Sequence, residues 1–117
     1  MGNKIEKFED IIAWQEARTF VRDIYVPFKA CRDYAFRDQI QRAVVSIMNN
    51  IAEGYERKGN KEFAKFLYIA KGSCAEVRSK LFISLDLGYI DKNKFEMLTE
   101  KSLKISRMLS NFIKSLG

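Results

Sequence analysis

Apolar residues recur every three or four positions through four stretches of the chain, and a proline, a glycine or a short polar break separates each from the next. That period puts them on one face of a helix. The first stretch predicts a helix over about 10–26, with Ile11, Trp14, Ala17, Val21, Ile24 and Tyr25 on its apolar side. Pro27 has no N–H and disfavours helical geometry at Val26, so this helix is expected to end or kink there. Residues 27–34 then read as an irregular or short helical connector. The second helix, over about 34–57, carries the stripe Phe36, Ile40, Ala43, Val44, Ile47, Ile51 and Gly54. A second apolar line, Val45, Met48, Ala52 and Tyr55, lies one position on, about 100° around the helix. A surface that wide predicts two packing neighbours.

The break Lys58-Gly59-Asn60 precedes a third helix over about 61–87, with Phe63, Phe66, Leu67, Ala70, Cys74, Val77, Leu81 and Leu85 as its stripe. Gly59 or Asn60 is expected to cap it, and Glu62 suits the positive end of the helix dipole. Gly88 can close the helix in the left-handed conformation. Asp91 offers an N-cap for a fourth helix, about 91–115, whose seam runs through Phe95, Leu98, Ser102, Ile105, Leu109, Phe112 and Leu116. Short breaks between long helices force antiparallel neighbours. The expected fold is therefore all-α, an up-down-up-down antiparallel four-helix bundle in one domain, 1–117. Folding helices 2 and 3 about Gly59 brings Ala43 and Ser46 toward Ala70, Gly72 and Ser73. Glycine costs about 1 kcal/mol in a helix interior, so Gly54 and Gly72 are each expected to have a packing reason.

Composition narrows the chemistry. Of 117 residues, 47% are hydrophobic, 13% aromatic, and none is histidine. Without imidazole, the Ser-His-Asp and Cys-His nucleophile systems, HExxH zinc sites and ordinary imidazole acid–base catalysis are excluded. Cys31 and Cys74 have no second thiol nearby, so both are expected to be reduced, buried and apolar. No metal or cofactor is expected. The opening MGNKIEKFED shows no apolar signal region, and Glu6 stands where a lipidation motif wants Ser or Thr. No apolar run approaches the roughly 18 residues of a membrane span, so the expected location is the cytoplasm.

Net charge is +6, unevenly placed. Residues 1–58 hold 10 basic and 9 acidic side chains, whereas 59–117 hold 11 and 6, and no acid follows Glu100. A basic excess attracts polyanions without reading sequence. On helix 4, Lys104, Arg107 and Lys114 fall opposite the apolar seam, with Lys101 beside them; Lys65, Lys71, Arg78 and Lys80 are secondary candidates on helix 3. A solvated face that only keeps the chain soluble is the alternative. On helix 2, Gln39, Arg42, Ser46, Asn50 and Glu53 follow three-four spacing. They read as a polar network in which Arg42 and Glu53 join through Ser46 and Asn50. No nucleophile–base pair or metal-ligand cluster accompanies them.

Residues 37–90 resemble the four-helix-bundle proteins encoded in intervening sequences of bacterial 23S ribosomal RNA genes. The phrases that carry the likeness are Arg42-Ala43, Ser46-Ile47, Asn50-Ile51-Ala52-Glu53-Gly54, Lys61-Glu62-Phe63, Gly72-Ser73 and Leu87-Gly88-Tyr89-Ile90. FEDIIAWQEA, residues 8–17, is similar to the family's opening, with Trp14 and Gln15 in place. Met48 stands where many members have Pro, and Gly59 where a Ser or Thr cap is common. The resemblance implies a ring-like homo-pentamer, no catalytic residues, and, by way of a related group, accessory roles to reverse transcriptases with a basic surface against nucleic acid. The leading expectation is thus a non-enzymatic oligomer that binds RNA or DNA phosphates non-specifically. The competing one is a protein-interaction scaffold whose apolar faces, such as Val45, Met48 and Tyr55 or Tyr68 and Phe82, bind itself or another protein.

Overall fold

The structure, a computed structural model, describes residues 4–117. The Met1-Gly2-Asn3 opening, read above for lipidation, lies outside the described residues. The elements are a 3-10 turn, Phe8–Asp10, and four helices: α1 (Ile12–Phe28), α2 (Tyr34–Tyr55), α3 (Asn60–Asp86) and α4 (Lys92–Leu116). Among the described residues there is no strand. Each helix packs on the next, and α4 returns to α1, while the diagonal pairs do not meet.

Side-chain contacts fix the directions. Between α2 and α3, Gln39 meets Lys80, Ser46 meets Ser73, and a Cβ at Gly54 would touch Phe66. Between α3 and α4, Phe63 meets Phe112, Cys74 meets Ser102, and Phe82 meets Phe95. One number rises as the other falls, so both pairs are antiparallel. This is the up-down-up-down bundle that the periodicity predicts. Its core holds Trp14, Ala17, Phe20, Ile24, Ile47, Ile51, Leu67, Leu81, Leu98, Ile105 and Leu109 among others. Ser102 is fully buried at its seam position, where its hydroxyl donates to the Cys74 carbonyl at 3.0 Å.

Local chemistry explains the helix ends. Asp91 Oδ1 accepts from Lys94 N at 2.7 Å, the expected cap of α4, and Asp33 does the same for α2 through Phe36 N at 3.3 Å. Gly59 caps α3 at φ +83° without a side-chain bond. At the other end Gly88 takes φ +74°, Tyr89 N donates to Ser84 O at 2.8 Å, and Gly88 N donates to Leu85 O at 3.1 Å. That pair of bonds is a Schellman motif, which only a residue tolerant of positive φ closes without strain.

Two expectations need correction. α1 does not end before Pro27 but carries it in its last turn and runs to Phe28. Proline there forfeits one hydrogen bond, while continuing the helix buries the Phe28 ring completely and sets it 6.2 Å from Phe36. Packing outweighs the local preference. The N-terminal boundary also shifts, because Phe8–Asp10 form a separate turn whose Phe8 ring meets Trp14 edge-on at 5.2 Å. Gly72 is the second correction. It faces away from α2, and a Cβ there would meet nothing within 4 Å. Only Gly54 has a packing reason inside the chain: a Cβ would lie 2.6 Å from Phe66 Cβ.

Candidate interaction surfaces

The lysines of α4 are less available than their sequence positions suggest. Lys101 Nζ and Lys104 Nζ both reach Glu16 Oε1 on α1, at 3.1 and 3.0 Å. Lys104 foremost, then Lys101, holds the Glu16 carboxyl below its ordinary pKa. The cleft over this ion triplet adds Arg107 but also Asp23 and Glu100, so three cations there face three acids. Arg107 and Lys114 are exposed and make no ion pair among the described residues. On α3, Lys65 pairs with Glu62 at 3.0 Å, and Lys80 lies 3.9 Å from Glu76 while donating to Gln39 Oε1 at 3.1 Å. Lys71 and Arg78 are half-buried. Fifteen positions separate Lys65 from Lys80, roughly 22 Å along the helix. The eight basic candidates do not converge on one patch.

The polar line of α2 divides in two. Ser46 and Ser73 hydroxyls lie 3.0 Å apart, and Asn50 Nδ2 donates to both Ser46 O (2.8 Å) and Ser46 Oγ (2.9 Å). This small network ties α2 to α3. Arg42 and Glu53 stay outside it, a departure from the expected path through Ser46 and Asn50. Both are exposed, with no hydrogen bond to it, and line an open groove with Tyr25, Asp38 and Asn49. Eleven positions, roughly 16 Å along the helix, set them beyond direct reach of each other.

Chemistry is sparse elsewhere. No cluster of three metal-ligating side chains occurs among the described residues. Both cysteines are free; Cys74 is buried as expected, and burial pushes its thiol up to about 12. Cys31 is only half-buried, because it sits in the α1–α2 connector rather than on a core stripe. No helix is long and apolar enough to cross a membrane among the described residues.

The largest departure from a polar exterior lies on α3. Its outward face exposes Tyr68 (60%), Ile69 (52%), Phe82 (55%) and Ile83 (46%), with Gly72, Ala75 and Ser79 between them. From Lys65 to Asp86 the one exposed charge between those two ends is Glu76. Sequence reasoning singled out Tyr68 and Phe82 but missed the rest. The signal was present: 68, 72, 75, 79 and 82 repeat at three-four spacing, a second stripe on the side of α3 opposite Leu67, Cys74, Val77 and Leu81. The other apolar line considered, Val45, Met48, Ala52 and Tyr55 on α2, is packed against the core.

Comparison with known proteins agrees with this architecture. The crystal structure of a protein of unknown function from the S23 ribosomal protein family of Bacteroides thetaiotaomicron superimposes with a TM-score of 0.81 at 23% identity. The match covers 87% of this chain and 98% of that one. No curated protein matches the sequence. The model of the family described as 23S rRNA-intervening sequence protein matches residues 9–111, from the 3-10 turn through most of α4. On that match, the chain belongs to the 23S rRNA-intervening sequence protein family.

Proposed function

We propose that this chain is a non-enzymatic helical module whose primary property is self-association through the outward face of α3. The observation that carries this reading is the run of large apolar side chains exposed there, Tyr68, Ile69, Phe82 and Ile83, around a central strip of small residues. Large apolar side chains exposed along one helix face mark an interaction site. The absence of histidine and of any paired nucleophile and base supports a role without catalysis. Sedimentation tests the reading. The wild type should sediment as a multiple of its 13.6 kDa chain at tens of micromolar, and the double substitution Tyr68→Glu with Ile83→Glu should sediment as a monomer of unchanged helicity. A wild-type monomer at that concentration would refute it.

A second reading, binding of RNA or DNA phosphates, is favoured by the net charge of +6 and by Arg107 and Lys114, which carry no intrachain partner among the described residues. Repetition of these weak contacts around an oligomer would add avidity without sequence specificity. Binding to single-stranded RNA should then weaken steeply between about 50 and 200 mM salt. No binding at the lower salt would remove this reading and leave the first intact.

A further inference from the structure

We propose that the cleft between the start of α1 and the end of α4 is a binding site for a small amine carried on an apolar body. The antiparallel bundle brings these two helix ends together, and the cleft between them measures about 490 Å³. Ligand sites commonly measure about 300–1,000 Å³. Its wall is mostly apolar: Ile12 and Ala13 from α1 face Met108 and Phe112 from α4. The Phe8 ring does not line it, because that ring turns to Trp14 at 5.2 Å. Ile12 is left 49% exposed at the mouth. No residue of α3 takes part, so the site asks for no second copy.

The polar groups in the wall select the occupant. Asp10 is half-buried and is the one charged residue lining the cleft. Its Oδ2 accepts from Glu6 N at 3.0 Å and from Lys7 N at 3.3 Å. Its Oδ1 accepts nothing, and no cation pairs with it, among the described residues. Ser115 Oγ donates its proton to Phe112 O at 2.6 Å, which leaves that oxygen free only to accept. The wall therefore offers a negative charge and lone pairs, with the Asn111 amide beside them. A matching occupant donates hydrogen bonds, carries positive charge and buries an apolar body.

The wider field agrees. α1 begins at this cleft without a side-chain cap, which contributes partial positive charge, while α4 ends there and contributes partial negative charge. The two helix ends offset each other and leave the full charge of Asp10. Lys104, one turn along α4 from Met108, is held by Glu16 at 3.0 Å. Lys114 is exposed, where water screens it. A carboxylate beside apolar walls attracts a cation more strongly than one surrounded by water. An anionic amphiphile of the same shape meets that carboxylate as a like charge, so the site discriminates by repulsion as well as attraction.

Three probes that share one body and differ in charge test the proposal: phenylbutylamine, phenylbutanol and phenylbutyrate, titrated into the full chain at pH 7 and followed by amide NMR. The amine should shift Ile12, Ala13, Asn111 and Phe112 but not Tyr68 or Ile83. It should bind about fivefold to tenfold more tightly than the acid, since one partly shielded charge contact counts once as attraction and once as repulsion. Asp10→Asn keeps an oxygen for the Glu6 and Lys7 amides and should erase that preference. Ile12→Lys, a change at an exposed position, should reverse it. The Tyr68→Glu with Ile83→Glu double substitution should leave amine binding unchanged, which separates this site from the α3 face. Equal affinity for all three probes, shifts confined to α3, or no binding of the amine would overturn the proposal. So would amine binding by the double substitution alone, because a second copy would then cover the cleft in the wild type.

Discussion

Gly54 and Gly72 are interior glycines of neighbouring helices, and the structure predicts opposite responses to the same substitution. Alanine in place of a helical glycine gains about 1 kcal/mol from propensity. At Gly72 nothing lies within 4 Å of the new methyl, so the gain stands. At Gly54 the methyl would sit 2.6 Å from Phe66 Cβ and 2.9 Å from Phe63 Cδ1. The first of these atoms is one bond from the α3 backbone and cannot rotate away, so α2 and α3 must separate. Separation disturbs the Ser46–Ser73 bond two turns along the same seam and the edge-on packing of Tyr55 on Phe63 at 5.9 Å. Overpacking of a filled core costs about 1–3 kcal/mol, toward the upper end of that range where the backbone must shift. Gly54→Ala should therefore destabilise by about 1–2 kcal/mol net of the propensity gain. For a chain of 117 residues, about 1 kcal/mol moves the melting temperature by roughly 4 °C. Thermal unfolding followed by circular dichroism, at a dilution that holds the chain monomeric, should show Gly54→Ala lower by about 4–8 °C and Gly72→Ala higher by about 4 °C. If Gly54→Ala melts above the wild type, the close approach of α2 and α3 is wrong, and with it the explanation of that glycine.

Glu16→Gln should remove about 1 kcal/mol at neutral pH, since the carboxylate is shared by two lysines in a partly shielded site. Its pKa is depressed in the fold, so its stabilisation is present above the ordinary value of 4.5 and disappears as pH falls through the folded value. Urea midpoints of wild type and variant should accordingly differ at pH 7 and converge as pH falls through the depressed folded value; a constant difference would refute the ion triplet. The same variant frees Lys101 and Lys104, so under the second functional reading it should bind RNA more tightly. A thiol reagent at pH 8 should modify Cys31 in the native chain and Cys74 only after denaturation, because burial keeps that thiol protonated and shielded. Modification of both at equal rates would show that the α3–α4 seam opens readily.

The fold was legible because its determinants are local and periodic. Four three-four stripes give four helices, and Gly59, Gly88 and Asp91 mark the turns that reverse them, each by a mechanism confined to a few residues. Pro27 shows where local rules fail. Its effect on α1 depends on whether Phe28, beyond it, finds a buried place, and only the position of Phe36 on another helix decides that. Gly72 failed for the same reason. From α3 alone its side of the helix was ambiguous, and the choice of neighbour was settled by which stripe the core takes.

Charge was the least legible property, for a physical reason that bears on function. A sequence counts Lys101 and Lys104 as two free cations, because nothing in helix 4 after Glu100 neutralises them. Their partner, Glu16, lies some 85 positions earlier and meets them only when α4 folds back on α1. A basic run therefore measures composition, while available charge depends on tertiary neighbours. Apolar exposure was legible only in part: Tyr68 and Phe82 stay outside the core, whereas Val45, Met48 and Tyr55, singled out by the same spacing, pack against it. Folding withdrew two of the strongest basic candidates and left the α3 face open. For that reason the apolar surface, rather than net charge, sets the first experiments on this chain.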